Sequence, residues 1–254
     1  MSGTEQGWAA PPAAAPELAD GMVHVWAAPL DPPADTIRRS EALLAPDERA
    51  RADRFRFERD RRRFAVARGV LRTLLGRYLG TDPRAIEFRY ESHGKPVLGE
   101  SFAGRGIRFN VSHSGEMALY AFARGRELGV DVEEVRRMDD GLDIAERFFS
   151  EAEVAAFRAL PEEIRDDAFF NCWTRKEAYI KAVGEGLSFP LHVFDVSLAP
   201  GEPARLLASR DPQQAERWSL RGLPDPAPGY RAAIVVEGEG WDLACWRWGD
   251  AAGG

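Results

Sequence analysis

The sequence of 254 residues contains few cysteines, few lysines and no long apolar run. Two cysteines, Cys172 and Cys245, provide neither a disulfide framework nor a thiolate zinc site, which favours a reducing compartment and a cytoplasmic protein. No stretch reaches the roughly 18 uncharged apolar residues that a membrane-spanning helix needs, so we expect no membrane partner. The first 21 residues lack the basic start and apolar core of a secretory signal. Their alanine and proline content predicts a disordered lead-in over residues 1–21.

The charge balance excludes one class of partner and indicates another. The net charge of −7 argues against a general attraction to nucleic acid, and we expect no nucleic-acid partner. Residues 47–72 nevertheless carry ten arginines against five acidic residues, a local +5. Such a block suggests that one compact anion binds there, although a solvated helix face explains it equally well. Of 34 basic residues only Lys95, Lys176 and Lys181 are lysines, which ranks these positions as candidate sites.

The hydrophobic pattern predicts one long helix and several strands in each half of the chain. Apolar residues at helical spacing predict a helix over residues 67–79 that ends at Gly80, and a second covers residues 162–183 before Gly184. Strands are predicted at 22–30, 107–111, 117–123, 128–132, 192–198, 217–221, 230–236 and 242–248. This order lacks the βαβ alternation of a parallel sheet. It predicts an α+β fold with an N-terminal half over 22–125 and a C-terminal half over 126–250.

Two acidic residues alternate with valines in the segment that begins at Gly129. On a strand, Asp131 and Glu133 share one face, and their α-carbons lie about 6.5 to 7 Å apart. Both carboxylates can then reach one hard cation. The alternative is an amphipathic strand with a solvated acidic face.

The predicted helix over 162–183 carries a second candidate group. Trp173, Glu177 and Lys181 follow one another at intervals of four residues and so lie along one face. Glu177 would complete an oxygen site for Mg²⁺, and Lys181 would lie beside a metal-bound phosphate. The alternative is a surface Glu–Lys pair that adds about 0.2 to 0.5 kcal/mol to the helix.

The segment around Ser112 and His113 suits contact with a phosphate better than nucleophilic catalysis. Adjacent residues on a strand point to opposite faces, so these two side chains do not pair easily as nucleophile and base. The chain also lacks the G-x-S-x-G sequence of a nucleophile elbow. Lys95 follows Gly94 in a tight turn that presents an ammonium group but lacks the glycines of a P-loop.

Together and in this order, the motifs resemble those of the Sfp-type 4'-phosphopantetheinyl transferases. The resemblance covers approximately residues 46 to 196. Such enzymes transfer the phosphopantetheine arm of coenzyme A to a serine hydroxyl of an acyl or peptidyl carrier protein and release adenosine 3',5'-bisphosphate. The resemblance implies two similar α+β halves packed as a pseudo-dimer, with coenzyme A in the cleft between them. Its motifs are GKP at 94–96, FNVSHS at 109–114, GVDVE at 129–133, FFS at 148–150, WTRKEA at 173–178 with Lys181, and GLSFP at 186–190.

The resemblance also implies a role for each candidate residue. Mg²⁺, or alternatively Mn²⁺, is expected to be bound by Asp131, Glu133 and Glu177. Glu177 would take the serine proton, and Lys181 would bind phosphate as the second catalytic residue. The expected contacts to coenzyme A, the co-substrate, are Arg51, Arg63, Lys95, Ser112, His113, Asp131 and Lys181.

The expected partner is an apo acyl or peptidyl carrier protein, and we expect the enzyme itself to be a monomer. Residues 135–149 mix arginines with apolar residues and are a candidate for part of the carrier contact, or else an ordinary exposed helix and loop. The pathway stays open between fatty-acid, polyketide and non-ribosomal peptide synthesis. Two rival hypotheses are a coenzyme A or nucleotide sensor without turnover and an acyl hydrolase centred on Ser112 and His113.

Overall fold

The computed structural model describes residues 7–12, 16–91, 94–186 and 189–249. The fold is mixed α+β, as the sequence predicts. Among the described residues, no helix is both long enough and apolar enough to cross a bilayer. The helices are α1 (Ala34–Leu43), α2 (Pro46–Ala52), α3 (Glu58–Leu79), α4 (Glu100–Ala103), α5 (Gly141–Phe148), α6 (Glu151–Ala159), α7 (Arg165–Val183) and α8 (Pro212–Arg217). The strands are β1 (Met22–Pro29), β2 (Phe88–Tyr90), β3 (Pro96–Leu98), β4 (Ile107–Ser114), β5 (Met117–Arg124), β6 (Leu128–Glu134), β7 (Phe194–Val196), β8 (Leu206–Ser209), β9 (Trp218–Gly222), β10 (Tyr230–Glu237) and β11 (Asp242–Arg247).

The first sheet has the strand order β11-β1-β5-β4, and α3 packs on one of its faces. Strand β5 is antiparallel to both β1 and β4, whereas β11 runs parallel to β1. Tyr120 and Phe122 of β5 pack against Leu74 and Leu75 of α3 in one buried apolar cluster. Alternate residues of β5 therefore cover the face that α3 needs to bury.

The second sheet has the order β6-β10-β9 and is antiparallel throughout. Helix α7 packs on it, with Ala178 and Ile180 in the same cluster as Ala233 and Val235 of β10. Each half of the chain thus places its long helix on its own sheet.

The two sheets face one another through a third apolar cluster. Leu119 and Ala121 of β5 lie in this cluster with Val130 of β6 and Ile234 of β10. The layers therefore follow the order α3, first sheet, second sheet, α7. This arrangement is consistent with the expected pair of similar halves.

Two parts of the structure cross the predicted division of the chain. Strand β11 belongs to the predicted C-terminal half, 126–250, yet it adds to the sheet of the first half. The predicted disordered lead-in is ordered at Trp8, which donates to the carbonyl of Pro224, and at Ala9, which bonds to Cys245 and Arg247 at the edge of β11. Residues 1–6 and 13–15 of the lead-in lie outside the described residues.

The helix signals of the sequence mark helix ends correctly. Gly80 and Gly184 end α3 and α7 in the left-handed conformation that glycine adopts without strain. Ser150 and Glu153 form a capping box that opens α6. Helix α3 begins at Glu58, nine residues before the predicted start, because its first turns are basic rather than apolar and Glu58 accepts bonds from two arginines of the next turn.

Candidate functional site

Helix α7 and strand β6 approach each other closely at Gly129. A β-carbon built on Gly129 would lie 2.1 Å from the carbonyl oxygen of Ala178 and 2.3 Å from the amide nitrogen of Ala182. No other amino acid fits there without moving the helix. This contact brings the α7 turn that contains Glu177 and Lys181 over the acidic face of β6.

Asp131 is buried on that face and is paired with the lysine that the sequence singled out. Its Oδ1 accepts a bond of 2.6 Å from Nζ of Lys181 and one of 2.7 Å from the hydroxyl of Ser112. The Lys181 ammonium also donates to the Ser112 hydroxyl at 2.9 Å. The three residues form one network that joins β4, β6 and α7.

The two glutamates lie beside this network. Burial raises the pKa of Glu177 to about 7, and the negative charges of Asp131 and Glu133 add to the effect. Burial and then Asp131 also raise the pKa of Glu133, against a bond of 2.7 Å that its carboxylate accepts from Ser114. The negative charges of the three carboxylates therefore act on one another.

The carboxylates fit a hard cation by their chemistry. Oδ2 of Asp131 is buried and has no hydrogen-bond partner in the part of the chain that the structure describes. Such an atom, next to two glutamates that repel it and each other, suits an oxygen-binding cation such as Mg²⁺. As the side chains stand, no three His, Cys, Asp or Glu side chains of the described residues form a group that could hold a metal ion. The carboxylates would have to draw together around it.

Strands β4 and β6 are joined by a ladder of hydrogen bonds from side chains of β4 to the backbone of β6, which the sequence did not predict. Val130 donates its amide to the side chain of Asn110 at 2.9 Å, and Glu134 donates its amide to the hydroxyl of Ser114 at 3.2 Å. Ser112, between them, accepts from the amide of the intervening β6 residue at 3.4 Å. Three alternate residues of β4, Asn110, Ser112 and Ser114, thus accept bonds from the backbone amides along the edge of β6 that is not paired with β10. The two hydroxyls use their protons to hold the carboxylates of Asp131 and Glu133.

Ser112 and His113 point to opposite sides of β4. The Ser112 hydroxyl is buried against Asp131, whereas His113 is exposed and lines a cleft on the other side. Although the His113 side chain is accessible from the cleft, partial desolvation of its imidazole lowers its pKa, and the positive charge of Lys181 adds to this effect. The neutral imidazole is therefore favoured. The serine and histidine are not arranged as nucleophile and base, which counts against the acyl hydrolase hypothesis.

The cleft has a volume of about 580 Å³ and is lined by both apolar and cationic side chains. Arg51 and Arg63 both line it, as does His113. The Arg51 guanidinium stacks on the ring of Phe64 at 5.4 Å from its centroid. Arg63 donates to Asp31, to Glu116 and to the carbonyl of Gly115, so much of its hydrogen-bonding capacity is already used. The remaining lining residues are Leu30, Phe55, Asp60, Phe64, Ala67, Arg68, Leu71, Gly94, Pro96, Val111 and Gly115.

Lys95 lies between the cleft wall and the carboxylate network. Its Nζ donates to the backbone carbonyl of Lys181 at 2.9 Å, and burial lowers its pKa. The lysine thereby ties the turn before β3 to the last turn of α7. Residues 92–93, directly before the GKP motif, and residues 187–188, within the GLSFP motif, lie outside the described residues.

Comparison with known proteins agrees with the motifs. The family described as the 4'-phosphopantetheinyl transferase superfamily matches residues 127–235, and that described as 4'-phosphopantetheinyl transferase, N-terminal, matches residues 30–124. The chain is 43% identical over 231 residues to the 4'-phosphopantetheinyl transferase HetI of Nostoc sp., covering 91% of this chain and 94% of that one. It is 32% identical over 200 residues to the 4'-phosphopantetheinyl transferase Sfp of Bacillus subtilis, covering 78% and 84% of the two chains.

A search of solved structures gives a more distant likeness. A holo-(acyl-carrier-protein) synthase from Bacillus anthracis, solved in complex with CoA (3',5'-ADP), is 24% identical with a TM-score of 0.36. The match covers 44% of this chain and 96% of that one.

Proposed function

The chain belongs to the 4'-phosphopantetheinyl transferase superfamily, and from this premise we propose that it modifies a serine hydroxyl of an apo acyl or peptidyl carrier protein. The group transferred is the 4'-phosphopantetheine arm of coenzyme A, and adenosine 3',5'-bisphosphate is released. The reaction depends on Mg²⁺.

The observation that carries this proposal is the position of the carboxylate network beside the cationic cleft. His113 of β4 lines the cleft together with Arg51, and the adjacent residue Ser112 is bonded to Asp131 and Lys181 of the network. A coenzyme A molecule concentrates negative charge in a diphosphate and a separate 3'-phosphate. The cleft arginines suit the nucleotide end of such a molecule, and the network suits the diphosphate.

Each residue of the network has a distinct role in the proposed reaction. Asp131, Glu133 and Glu177 would hold the Mg²⁺, which supplies charge neutralisation on the diphosphate. Lys181, now paired with Asp131, is placed to donate to a phosphate oxygen and to stabilise the negative charge on the leaving group.

The chemical step is a phosphoryl transfer from one oxygen to another. A bond forms between the serine oxygen and the phosphorus next to pantetheine, and the bond from that phosphorus to the bridging oxygen breaks. The electron pair leaves with adenosine 3',5'-bisphosphate, and the serine proton passes to the carboxylate of Glu177. Positioning and electrostatics carry most of the catalysis in such a step.

We propose residues 135–149 as part of the carrier contact. Arg137 is exposed before α5, and Arg147 lies in the last turn of that helix. Carrier helices of this family's partners are acidic, so exposed arginines with apolar neighbours suit them. A panel of apo carriers from the three synthesis pathways would identify the carrier that is modified.

The proposal is tested by intact mass spectrometry of an apo carrier incubated with the enzyme, coenzyme A and Mg²⁺. The wild-type enzyme is expected to add one phosphopantetheine unit to the carrier. Glu177→Gln should abolish the addition, a loss of at least about a hundredfold in rate, because the amide cannot accept the proton. Glu162→Gln, at an exposed glutamate before α7, is the matched control and should retain full activity.

Two results would contradict the proposal. If Glu177→Gln keeps wild-type activity while circular dichroism shows an unchanged fold, the assigned base is wrong. If the wild-type protein binds coenzyme A in the presence of Mg²⁺ but modifies no carrier of the panel, the sensor hypothesis replaces the transferase.

A further inference from the structure

Two buried arginines of α3, Arg68 and Arg72, are one turn apart and differ in how completely their N–H donors are hydrogen-bonded within the fold. Nε of Arg72 donates to Glu48 at 2.7 Å, and its Nη1 donates to the carbonyls of Pro83 and Ile86 at 3.0 and 2.9 Å. These bonds hold α2 and the segment after α3 against the helix. Arg72 is thus fully explained as a structural residue.

Arg68 is bonded much less well, although its side chain is only 9% exposed. Its Nη2 donates to the hydroxyl of Tyr90 at 3.3 Å, and its Nε lies 3.4 Å from Oε1 of Glu48. Its Nη1 is buried and has no partner within the described ranges of the chain. A guanidinium carries five N–H donors, and buried donors in folded proteins are almost always paired. The fold therefore leaves donors of Arg68 unused.

Aromatic rings hold this guanidinium in place. Its carbon lies 4.8 Å from the ring centroid of Phe88 and 5.9 Å from those of Phe64 and Tyr90. Stacking of this kind favours the charged, planar group and restricts its rotation. Arg68 is thus a cation that is already oriented but incompletely bonded.

Arg68 lines the same cleft as Arg51, Arg63 and His113. Arg63 is engaged by Asp31 and Glu116, whereas Arg68 is a buried cation of this cleft whose Nη1 has no partner among the described residues. A planar fork with free N–H groups matches the oxygens of a phosphate monoester, to which arginine binds through paired charge-assisted hydrogen bonds.

We propose that Arg68 is a specificity-determining residue of the cleft, which binds the 3'-phosphate monoester of the nucleotide and so selects coenzyme A over its 3'-dephospho form. The proposal rests on the proposed function for the identity of the nucleotide. It adds to the two arginines implied by the resemblance, Arg51 and Arg63, a third that the sequence pattern does not distinguish from structural Arg72.

The test compares coenzyme A with 3'-dephospho-coenzyme A as donor for the wild type and for Arg68→Gln. In the variant, KM for coenzyme A is expected to rise by about tenfold or more, with kcat within about twofold, because a charge-assisted bond is lost. KM for the dephospho form should stay within about twofold, which also shows that the variant is folded. Arg62→Gln is the matched control, since Arg62 is exposed on the same helix and pairs with Glu58.

A binding experiment separates this proposal from the proposed function. Calorimetry measures adenosine 3',5'-bisphosphate and adenosine 5'-monophosphate against the full chain, and neither ligand needs turnover. The wild type should bind the bisphosphate more tightly, and Arg68→Gln should remove most of that preference. Arg68→Lys keeps the charge without the fork and should restore part of it.

The outcomes are distinct. Equal losses for both donors, or for both nucleotides, would overturn the proposal, because Arg68 would then act on the shape of the cleft or on another part of the nucleotide. A wild type with no preference for the 3'-phosphate would overturn it whatever the variants do. Preference in calorimetry without transfer to any carrier would instead retain Arg68 and contradict the proposed function.

Discussion

The buried ammonium of Lys176 shows how this chain accommodates a charge that takes no part in the site. Its Nζ lies 2.8 Å from Glu153 and donates to the carbonyls of Leu191 and Phe194, each at 2.7 Å. An ammonium has three donors, so all of them are used. Of the three lysines that the sequence ranked as candidates, Lys176 alone received no role in the expected site, and its buried bonds show that it is structural.

His24 allows a prediction about stability in acid. Its ring is buried on β1 with Nδ1 3.0 Å from the hydroxyl of Tyr78, which in turn accepts from the indole of Trp26 at 2.8 Å. Burial lowers the pKa of His24 from 6.5 to about 4. Because the folded-state pKa is the lower one, the unfolded chain binds the proton more readily between these values. His24 therefore contributes stability above pH 6.5 that is lost as the pH falls through 4.

The measurement is urea unfolding of the wild type and His24→Phe at several values between pH 7 and pH 4. The free energy of unfolding of the wild type should fall by up to about 3 kcal/mol more than that of the variant over this range. His192→Gln, at an exposed histidine, should follow the wild-type curve. Wild-type and His24→Phe curves that run parallel would show that His24 does not titrate between the two states.

At the scale of elements, strand β6 illustrates what a sequence can predict about the site and what it cannot. Alternation of Val130 and Val132 with acidic residues predicts a strand and the face that each side chain takes, and both predictions are confirmed. The ladder from Asn110 and Ser114 to the edge of β6 was not predicted, because it depends on which strand lies beside that edge. Periodicity carries no information on that pairing.

The same limit applies to helix α3. The apolar stripe of α3 predicts its packing face, and Arg68 and Arg72 lie off that stripe, which is typical of solvated positions. Both are buried because Glu48 of α2 and the segment that contains Phe88 cover that side of the helix. A helical pattern shows what one face needs to bury, whereas the partner of the opposite face comes from elsewhere in the chain.

The contact between α7 and β6 yields a prediction at Gly129. In Gly129→Ala the new methyl group meets backbone atoms of Ala178 and Ala182, which cannot rotate away, so the helix has to shift. We expect a loss of stability of about 1 to 3 kcal/mol. Glu177 and Lys181 move with the helix, and a displacement of about 1 Å at a catalytic group costs roughly a hundredfold in rate. The transfer rate and the urea midpoint are measured on the same preparation.

Gly104→Ala provides the control for this experiment. Gly104 has φ near −70°, which alanine adopts freely, and among the described residues no atom beyond its own chain neighbours lies within 4 Å of the added β-carbon. This variant should keep both the midpoint and the transfer rate of the wild type. Wild-type activity in Gly129→Ala would show that the spacing of α7 and β6 does not position the site.

For the molecule as a whole, the two halves are coupled through more than the site between them. The sheets share the apolar cluster that contains Ala121 of β5 and Ile234 of β10, and the side-chain ladder joins their edges. Strand β11 leaves the second half and completes the first sheet beside β1. Each half thus leaves an apolar face uncovered without the other, a property that follows from the layer order rather than from either half's sequence pattern.

This coupling predicts a single cooperative unfolding transition. Hydrogen exchange monitored along a urea series should show the amides of β1 and β10 losing protection at the same urea concentration, because opening either sheet exposes the shared cluster. Removing residues 242–249 deletes β11 and leaves one edge of β1 unpaired, so it should destabilise the amides of β10 as much as those of β1. A truncated chain in which β10 keeps wild-type protection while β1 loses it would show that the halves unfold independently.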